Sequence, residues 1–357
     1  MILSLAPMAD ITHAGFRRLV ASFASPDLYY SEMIHSPSLL SRGKFEKWYM
    51  LTLEGESLIW QLTSDESETI KESIPLLLEK CRLGIDLNMG CCAPHIVATG
   101  AGFAWLKKDR CEVARYVRNA RDSIDEYVKL KGGSRPILSV KMRLPSERQE
   151  DLDNFVRFLV DLGVDRVTVH PRFQKEKYAR LPHYEYVERL LNNIPIPLFL
   201  NGDIQNAEDI KKISKNMPTL AGCMIGREAV RRPWIFAKLK KLKSIQERQR
   251  VCSPVSSSMS SNETQNILFS QSSNHPQNDS CNKIDLLRVA QDFIEYVRLY
   301  QPAEFQLLRS KRFFSIFCDN FQFAHYIRTR LLNTKTLEDV LPILHTYFDE
   351  VEEDRWR

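Results

Sequence analysis

Two residues whose chemistry calls for a partner or a ligand stand near the ends of apolar, β-branched segments. They are Lys141 and His170, and burying a cation or an imidazole there is costly unless something offsets the desolvation. A fixed cation beside the pyrimidine side of a flavin stabilises the reduced, anionic cofactor. A lysine in a barrel also forms the Schiff base of aldolases. The residues alone leave both chemistries open.

Two short glycine-bearing segments indicate a phosphate site. Asn201-Gly202-Asp203-Ile204 follows the seventh apolar segment, and Gly226-Arg227 ends the eighth. Glycine lets the backbone come close to an anion, backbone amides at a helix N-terminus hold it, and the Arg227 guanidinium adds a charge-assisted contact. Because the last two strands of a (β/α)₈ barrel commonly form its phosphate site, we predict phosphate binding here.

In the segment Asn88-Met89-Gly90-Cys91-Cys92, the side-chain amide of Asn88 is followed three residues later by the thiol of Cys91. On a loop that faces a cavity, a thiol can act as a general acid, whereas most cysteines in apolar runs are inert packing. Adjacent cysteines do not suit joint ligation of one zinc ion. The eight cysteines also lack paired CxxC spacing, so we expect reduced thiols and no metal.

The elements that must position these residues alternate between strand and helix. Periodicity predicts helices between most of eight strands, the pattern of a parallel barrel or a doubly wound sheet. The predicted strands are Leu3 to Met8, Leu28 to Ile34, Leu58 to Leu62, Gly84 to Met89, Ile137 to Arg143, Arg166 to Arg172, Pro197 to Asp203 and Gly222 to Arg227. A doubly wound sheet would normally show a glycine-rich first turn, which Ala6-Pro7-Met8-Ala9-Asp10 lacks. We therefore predict an α/β fold, a (β/α)₈ TIM barrel followed by a small C-terminal helical bundle.

Three regions are predicted along the chain of 357 residues. Residues 1–243 form the catalytic barrel, and residues 284–357 form the helical bundle. Residues 244–283, rich in Ser and Asn, are predicted to be a flexible linker or insertion because they bury too little apolar surface. Near-helical spacing assigns five phenylalanines to the core of the bundle: Phe313, Phe314, Phe317, Phe321 and Phe323.

Composition excludes a membrane span, because no apolar run approaches the ~20 residues that a bilayer requires. The N-terminus lacks the basic region of a signal peptide, so we expect a cytoplasmic protein. A formal net charge of +5 is too small to indicate nucleic-acid binding by itself. Basic residues do cluster after the barrel, from Lys238 to Arg250, and again in the helical region, where they provide a cationic face.

The sequence resembles the tRNA-dihydrouridine synthases, and the resemblance covers nearly the whole chain. The matching segments, in order, are Leu5-Ala6-Pro7-Met8, Ser31-Glu32-Met33, Gln61, Asp86-Leu87-Asn88-Met89-Gly90-Cys91, Lys141, Arg143, His170, Arg172, Asn201-Gly202-Asp203-Ile204 and Gly226-Arg227. The resemblance implies that FMN is bound in the barrel and reduced by NADPH or NADH. It implies hydride transfer to a uracil base of tRNA, protonation of that base by a cysteine, and a helical domain that helps to grip the tRNA.

Position by position, the resemblance implies specific roles. Cys91 is the expected proton donor, while Asn88 and Arg172 are expected to hold the uracil and its nucleotide. The expected FMN contacts are Pro7, Met8, Ala9, Gln61, Lys141, His170, Asn201, Gly202, Asp203, Gly226 and Arg227. The chain departs from the family pattern at Cys92, which stands where a proline is usual.

Other functions compete with tRNA reduction. One class is a small-molecule FMN oxidoreductase or another phosphate-binding barrel enzyme of the aldolase kind. Another is a tRNA-binding protein that lacks catalysis. The helical region disfavours the first class, and the joint presence of Cys91, Lys141 and His170 disfavours the second. We expect a monomer.

Overall fold

The computed structural model describes residues 1–176, 178, 180–241 and 283–357. The predicted linker, residues 244–283, therefore lies outside the described residues except for Lys283. The boundaries of the three predicted regions stay predictions.

Eight parallel strands close into a barrel, which confirms the predicted fold class. Each strand pairs with the next in sequence, and β1 pairs with β8 to complete the circle. The strands are β1 Ile2–Leu5, β2 Leu28–His35, β3 Leu58–Thr63, β4 Gly84–Met89, β5 Ile137–Arg143, β6 Arg166–His170, β7 Leu198–Asn201 and β8 Gly222–Ile225. Most strand residues are buried, as expected for parallel strands covered on both faces.

Several predicted strands run two or three residues past the observed ends. β1 ends at Leu5 and β6 at His170, and each is followed within two residues by a proline, Pro7 or Pro171. Proline has no N–H to donate to the ladder, so pairing stops there. β7 stops before Asp203, whose φ of 44° lies in the left-handed region. Pro7, Met8, Gly202 and Asp203 are consequently on loops, whereas Lys141, His170 and Asn201 lie within or at the end of their strands.

Helices surround the barrel on the outside. They are α1 Ala14–Phe23, α2 Ser36–Leu40, α3 Glu46–Tyr49, α4 Ser67–Leu78, α5 Pro94–Ala98, α6 Arg110–Lys131, α7 Gln149–Asp161, α8 Tyr184–Leu191, α9 Ala207–Asn216, α10 Arg227–Arg231 and, up to the end of the described segment, residues 235–241 (α11). The ends of α6 show why helices form where they do. Its N-cap Asp109 accepts a hydrogen bond from the Cys111 amide at 2.7 Å, and it stops at Gly132, where φ is 67°.

The C-terminal region consists of four α-helices with short 3₁₀ turns. They are α12 Leu286–Tyr300, α13 Ala303–Phe317, α14 Ala324–Leu332 and α15 Val340–Glu350. Four of the five phenylalanines predicted for its core are buried, as predicted. The prediction is wrong for Phe323, which is 51% exposed because it precedes α14 as its N-cap residue. No helix in the described part of the chain is long and apolar enough to cross a bilayer.

The helical region and the barrel share one continuous apolar core. α1 of the barrel packs on α12 and α13, with the rings of Phe16 and Phe313 6.2 Å apart. Within the helical region, the rings of Phe293 and Phe313 stack at 3.8 Å. Gly15 permits this approach, because a Cβ at this position would stand 2.7 Å from the carbonyl oxygen of Tyr296. The two regions are therefore closely packed against one another.

Candidate active site

A cavity of about 460 Å³ opens at the carboxyl ends of the barrel strands. Its volume is in the range of small-molecule and cofactor sites. Nine of the predicted site residues line it: Pro7, Met8, Lys141, His170, Asn201, Gly202, Asp203, Gly226 and Arg227. The other five predicted residues, Ala9, Gln61, Asn88, Cys91 and Arg172, do not line this cavity.

Lys141 supplies a cation to the cavity wall. Burial and, to a smaller extent, the neighbouring Arg143 guanidinium together lower the pKa of its amino group to about 8. The amino group therefore remains mainly protonated at neutral pH, but loses its charge in a pH range where an ordinary lysine keeps it. A lysine with such a pKa can change its protonation state when a charged ligand binds.

His170 is held neutral in a defined tautomer. Its Nε2 lies 2.9 Å from Nη1 of Arg172, and because arginine only donates, Nε2 must accept. Burial lowers the pKa of the imidazole well below its usual value, and the charge of Lys141 and the nearby arginines adds to the effect. The remaining proton is therefore on Nδ1, where it is available as a hydrogen-bond donor.

Asp203 joins two arginines at the cavity rim. Its carboxylate accepts a hydrogen bond from Arg227 at 2.7 Å and another from Arg172. The preceding Gly202 has a φ of 131°, and a Cβ there would come within 3.1 Å of the His170 ring. Glycine is thus required at this position for both conformation and space.

Each guanidinium nitrogen of Arg172 donates a hydrogen bond within the site. It is 1% exposed, and its Nε donates to the carbonyl oxygen of Arg180 at 2.6 Å while its two terminal nitrogens bind His170 and Asp203. The geometry makes it a residue that orients cavity side chains. Its predicted contact with the nucleotide stays a prediction.

The loop after β4 holds Cys91 through its backbone. Asn88 Oδ1 accepts hydrogen bonds from the amides of Gly90 at 3.1 Å and Cys91 at 3.0 Å. On the other side, the Phe103 amide donates to the Cys91 carbonyl at 2.9 Å. Gly102 makes room for this contact, since a Cβ there would lie 2.7 Å from the same carbonyl oxygen.

Gln61 and Asn88 were predicted to bind different ligands, and the structure places them in contact. Asn88 Nδ2 donates to Gln61 Oε1 at 2.9 Å, and Gln61 Nε2 donates to Asp86 at 2.8 Å. Asn88 is also paired in register with Lys141 across β4 and β5. The Cys91 loop therefore stands beside the cationic wall of the cavity.

The second thiol differs from the first in its surroundings. Cys92 Sγ lies 3.5 Å from the Gly90 carbonyl oxygen, and burial raises the pKa of its thiol. Among the described residues, no three His, Cys, Asp or Glu side chains come together as a metal site.

Sequence reasoning missed several residues of the site. Asp86 appeared only as part of a family motif, although an acid inside an apolar strand two residues before Asn88 is a recognisable signal. Tyr178 lies 4.4 Å, ring centroid to guanidinium, from Arg227 at the cavity mouth. The cavity is also lined by Ile316 and Asp319, which come from the C-terminal helical region. No local pattern marks those two, because they reach the barrel only through tertiary packing.

Comparison with known proteins decides the family. The family profile described as "Dihydrouridine synthase (Dus)" matches residues 4–285. This chain belongs to the dihydrouridine synthase family. The predicted resemblance is thereby confirmed, and so is the prediction that the protein is an oxidoreductase.

Several curated relatives are similar over much of the chain. A probable tRNA-dihydrouridine synthase of Staphylococcus aureus is 24% identical over 360 residues, covering 98% of this chain and 94% of the relative. One from Helicobacter pylori is 30% identical over 67% of this chain and 70% of its own length. A tRNA-dihydrouridine(47) synthase [NAD(P)(+)]-like protein of Arabidopsis thaliana is 27% identical, but the match spans only 34% of that protein. Among solved structures, morphinone reductase aligns with a TM-score of 0.47 at 10% identity, over 67% of this chain and 85% of that one.

Proposed function

We propose that this dihydrouridine synthase reduces a uridine of tRNA to 5,6-dihydrouridine. The relative that aligns along 98% of the chain is named for this reaction on tRNA. Exposed basic residues of the helical region support a polyanionic substrate; Arg312 on α13 is 59% exposed, with its Nε 3.6 Å from Asp10 Oδ2. The observation that carries the proposal is the pairing of Asn88 with Lys141, which places the Cys91 thiol loop beside a cationic cavity.

The cavity residues fit FMN, the flavin we propose as cofactor. Lys141 would hold the isoalloxazine with its cation, and neutral His170 would donate its Nδ1 proton to it. At the proposed phosphate end, Gly202 and Gly226 line the cavity, and Arg227 would supply a guanidinium. When bound and reduced by NADPH or NADH, FMN supplies a hydride to C6 of the uracil.

Two further residues, Cys91 and Asn88, are assigned to the uracil base. We assign Cys91 as the general acid: its S–H bond breaks as a C–H bond forms at C5, and the thiolate then regains a proton from solvent. Asn88 has both amide protons engaged, one on Gln61 and the other on the Met33 sulfur at 3.3 Å. The contact with sulfur is the weaker of the two, and a uracil carbonyl would replace it.

Absorbance spectroscopy tests the proposal directly. The purified protein should be yellow, its flavin band should bleach with NADPH, and unmodified tRNA should restore the band. Mapping of dihydrouridine in the treated tRNA identifies the product. A colourless protein in which borohydride reduces an imine formed between Lys141 and the carbonyl group of an added substrate would instead support Schiff-base chemistry.

A further inference from the structure

We propose that Asp86 is a positioning residue that holds the Cys91 loop in its working conformation, acting through Gln61 and Asn88. The significance of that loop rests on the proposed function, in which Cys91 protonates the base. Asp86 lies in the middle of β4 and is fully buried, as are its partners in the interior of the barrel.

The hydrogen bonds run from the Cys91 loop through Asn88 and Gln61 to Asp86. At the loop, donors and acceptors can be arranged in only one way. The amides of Gly90 and Cys91 are donors, so Asn88 must turn its Oδ1 toward them. Its Nδ2 then faces Gln61, which must present its Oε1. The Gln61 amide nitrogen is left pointing away from Asn88, toward Asp86.

Asp86, at the other end of these hydrogen bonds, requires the same orientation of the Gln61 side-chain amide. One Asp86 oxygen accepts from Gln61 Nε2 at 2.8 Å and the other from Ser139 Oγ at 2.6 Å. Gln61 is 1% exposed and Asn88 8%, so water does not readily replace a lost partner. A reversed Gln61 amide would set its oxygen against the Asp86 carboxylate and its nitrogen against the Asn88 amide nitrogen. Asp86 therefore excludes the alternative orientation.

What the chain of bonds requires from position 86 is an acceptor rather than a charge. Asp86→Asn can keep it, because the asparagine oxygen can face Gln61 while its nitrogen donates to the Ser139 hydroxyl. Asp86→Leu preserves the volume but offers no acceptor. The two variants thus separate a positioning role from simple filling of the barrel interior.

The alkylation rate of Cys91 by iodoacetamide, followed by peptide mass spectrometry in a Cys92→Ala background, reports on the loop without requiring catalysis. We expect D86N to react like the parent protein. We expect D86L to react about tenfold faster, the change that corresponds to about one lost hydrogen bond. Equal rates in D86L and the parent, or equal acceleration in D86N and D86L, would overturn the proposal.

A double-mutant cycle tests whether Asp86 acts through Gln61. Gln61→Met should accelerate alkylation by itself, and adding D86L to Q61M should have no further effect, because the connection is already broken. Multiplicative effects of the two substitutions would show that Asp86 acts by another route. Ser139→Ala is the matched control, since it removes a buried partner of Asp86 but leaves the acceptor for Gln61 in place.

Hydrogen exchange in the unaltered protein covers the case in which D86L does not fold. The amides of Gly90 and Cys91 should be protected although they follow the end of β4, and unprotected exchange would contradict the proposal. The outcome is distinct from that of the proposed function. If D86L has no further effect in the Q61M background but the protein does not reduce tRNA, the proposed function alone is rejected. If the two effects multiply in an active enzyme, the positioning role alone is rejected.

Discussion

Arg309 of helix α13 donates a hydrogen bond to Glu32 of strand β2, with 2.5 Å between Nη1 and Oε1 and side chains only 2% and 4% exposed. The same carboxylate accepts from the Asp10 amide at 2.8 Å. Burial raises the pKa of Glu32, and the Arg309 charge opposes that shift. A buried ion pair thus joins the helical region to the barrel, next to the apolar contact of α1 with α12.

Breaking this ion pair should destabilise the whole protein. Arg309→Met leaves a buried carboxylate without its cation, and we expect a loss of about 3–5 kcal/mol in the free energy of unfolding. The Arg309→Met, Glu32→Gln double variant should recover part of the loss, because no buried charge remains. Urea unfolding curves measure both. A double variant less stable than Arg309→Met would show that the charge imbalance is not the cause.

Gly15 should be sensitive because α12 crosses so close to it. Gly15→Ala places a methyl group against the Tyr296 carbonyl oxygen, a backbone atom that cannot rotate away. We expect about 1–3 kcal/mol of destabilisation from overpacking, measured by the same urea curves. Gly43→Ala is the matched control, since its nearest neighbour is the Glu46 side chain at 3.4 Å. Equal effects at both positions would contradict the tight packing of α1 on α12.

Cys91→Ala should retain FMN and its reduction by NADPH but lose tRNA reduction by on the order of 10²-fold, the contribution of general-acid catalysis. Cys92→Ala should be close to the parent protein. Single-turnover oxidation of the reduced flavin by tRNA measures each. The double alanine variant shows whether Cys92 substitutes for its neighbour. Loss of activity in Cys92→Ala but not in Cys91→Ala would identify Cys92 as the general acid.

FMN affinity should depend on pH through Lys141. The pKa of this amino group is lowered to about 8, so its positive charge is present below that pH and disappears as the pH rises above it. We expect FMN to bind more weakly as pH rises through that value, because the anionic ligand favours the charged form. Quenching of flavin fluorescence gives the dissociation constant. Lys141→Met should bind FMN weakly at every pH, and an unchanged pH profile in that variant would assign the titration to another group.

The sequence by itself determined the barrel and much of its cavity. Eight apolar segments alternating with helical ones predict closure, and the polar residues after each segment must meet at one mouth because parallel strands end on the same side. That geometry requires only local periodicity, which is why Lys141, His170 and the Asn201-Gly202-Asp203 segment were predicted together. Several strands were predicted to end two or three residues beyond their observed ends, because proline and a left-handed backbone terminate pairing before the apolar pattern ends.

Only the tertiary structure decided how these residues constrain one another. Arg309 reaches Glu32 across 277 positions of the chain, and Ile316 and Asp319 enter the cavity from helices that no barrel pattern includes. Arg172, predicted to help hold the uracil and its nucleotide, hydrogen-bonds His170 and Asp203, which no sequence pattern indicated. The physical reason is that hydrogen-bond polarity and close packing depend on which atoms become neighbours, and that information is not contained in the spacing of residue types along the chain.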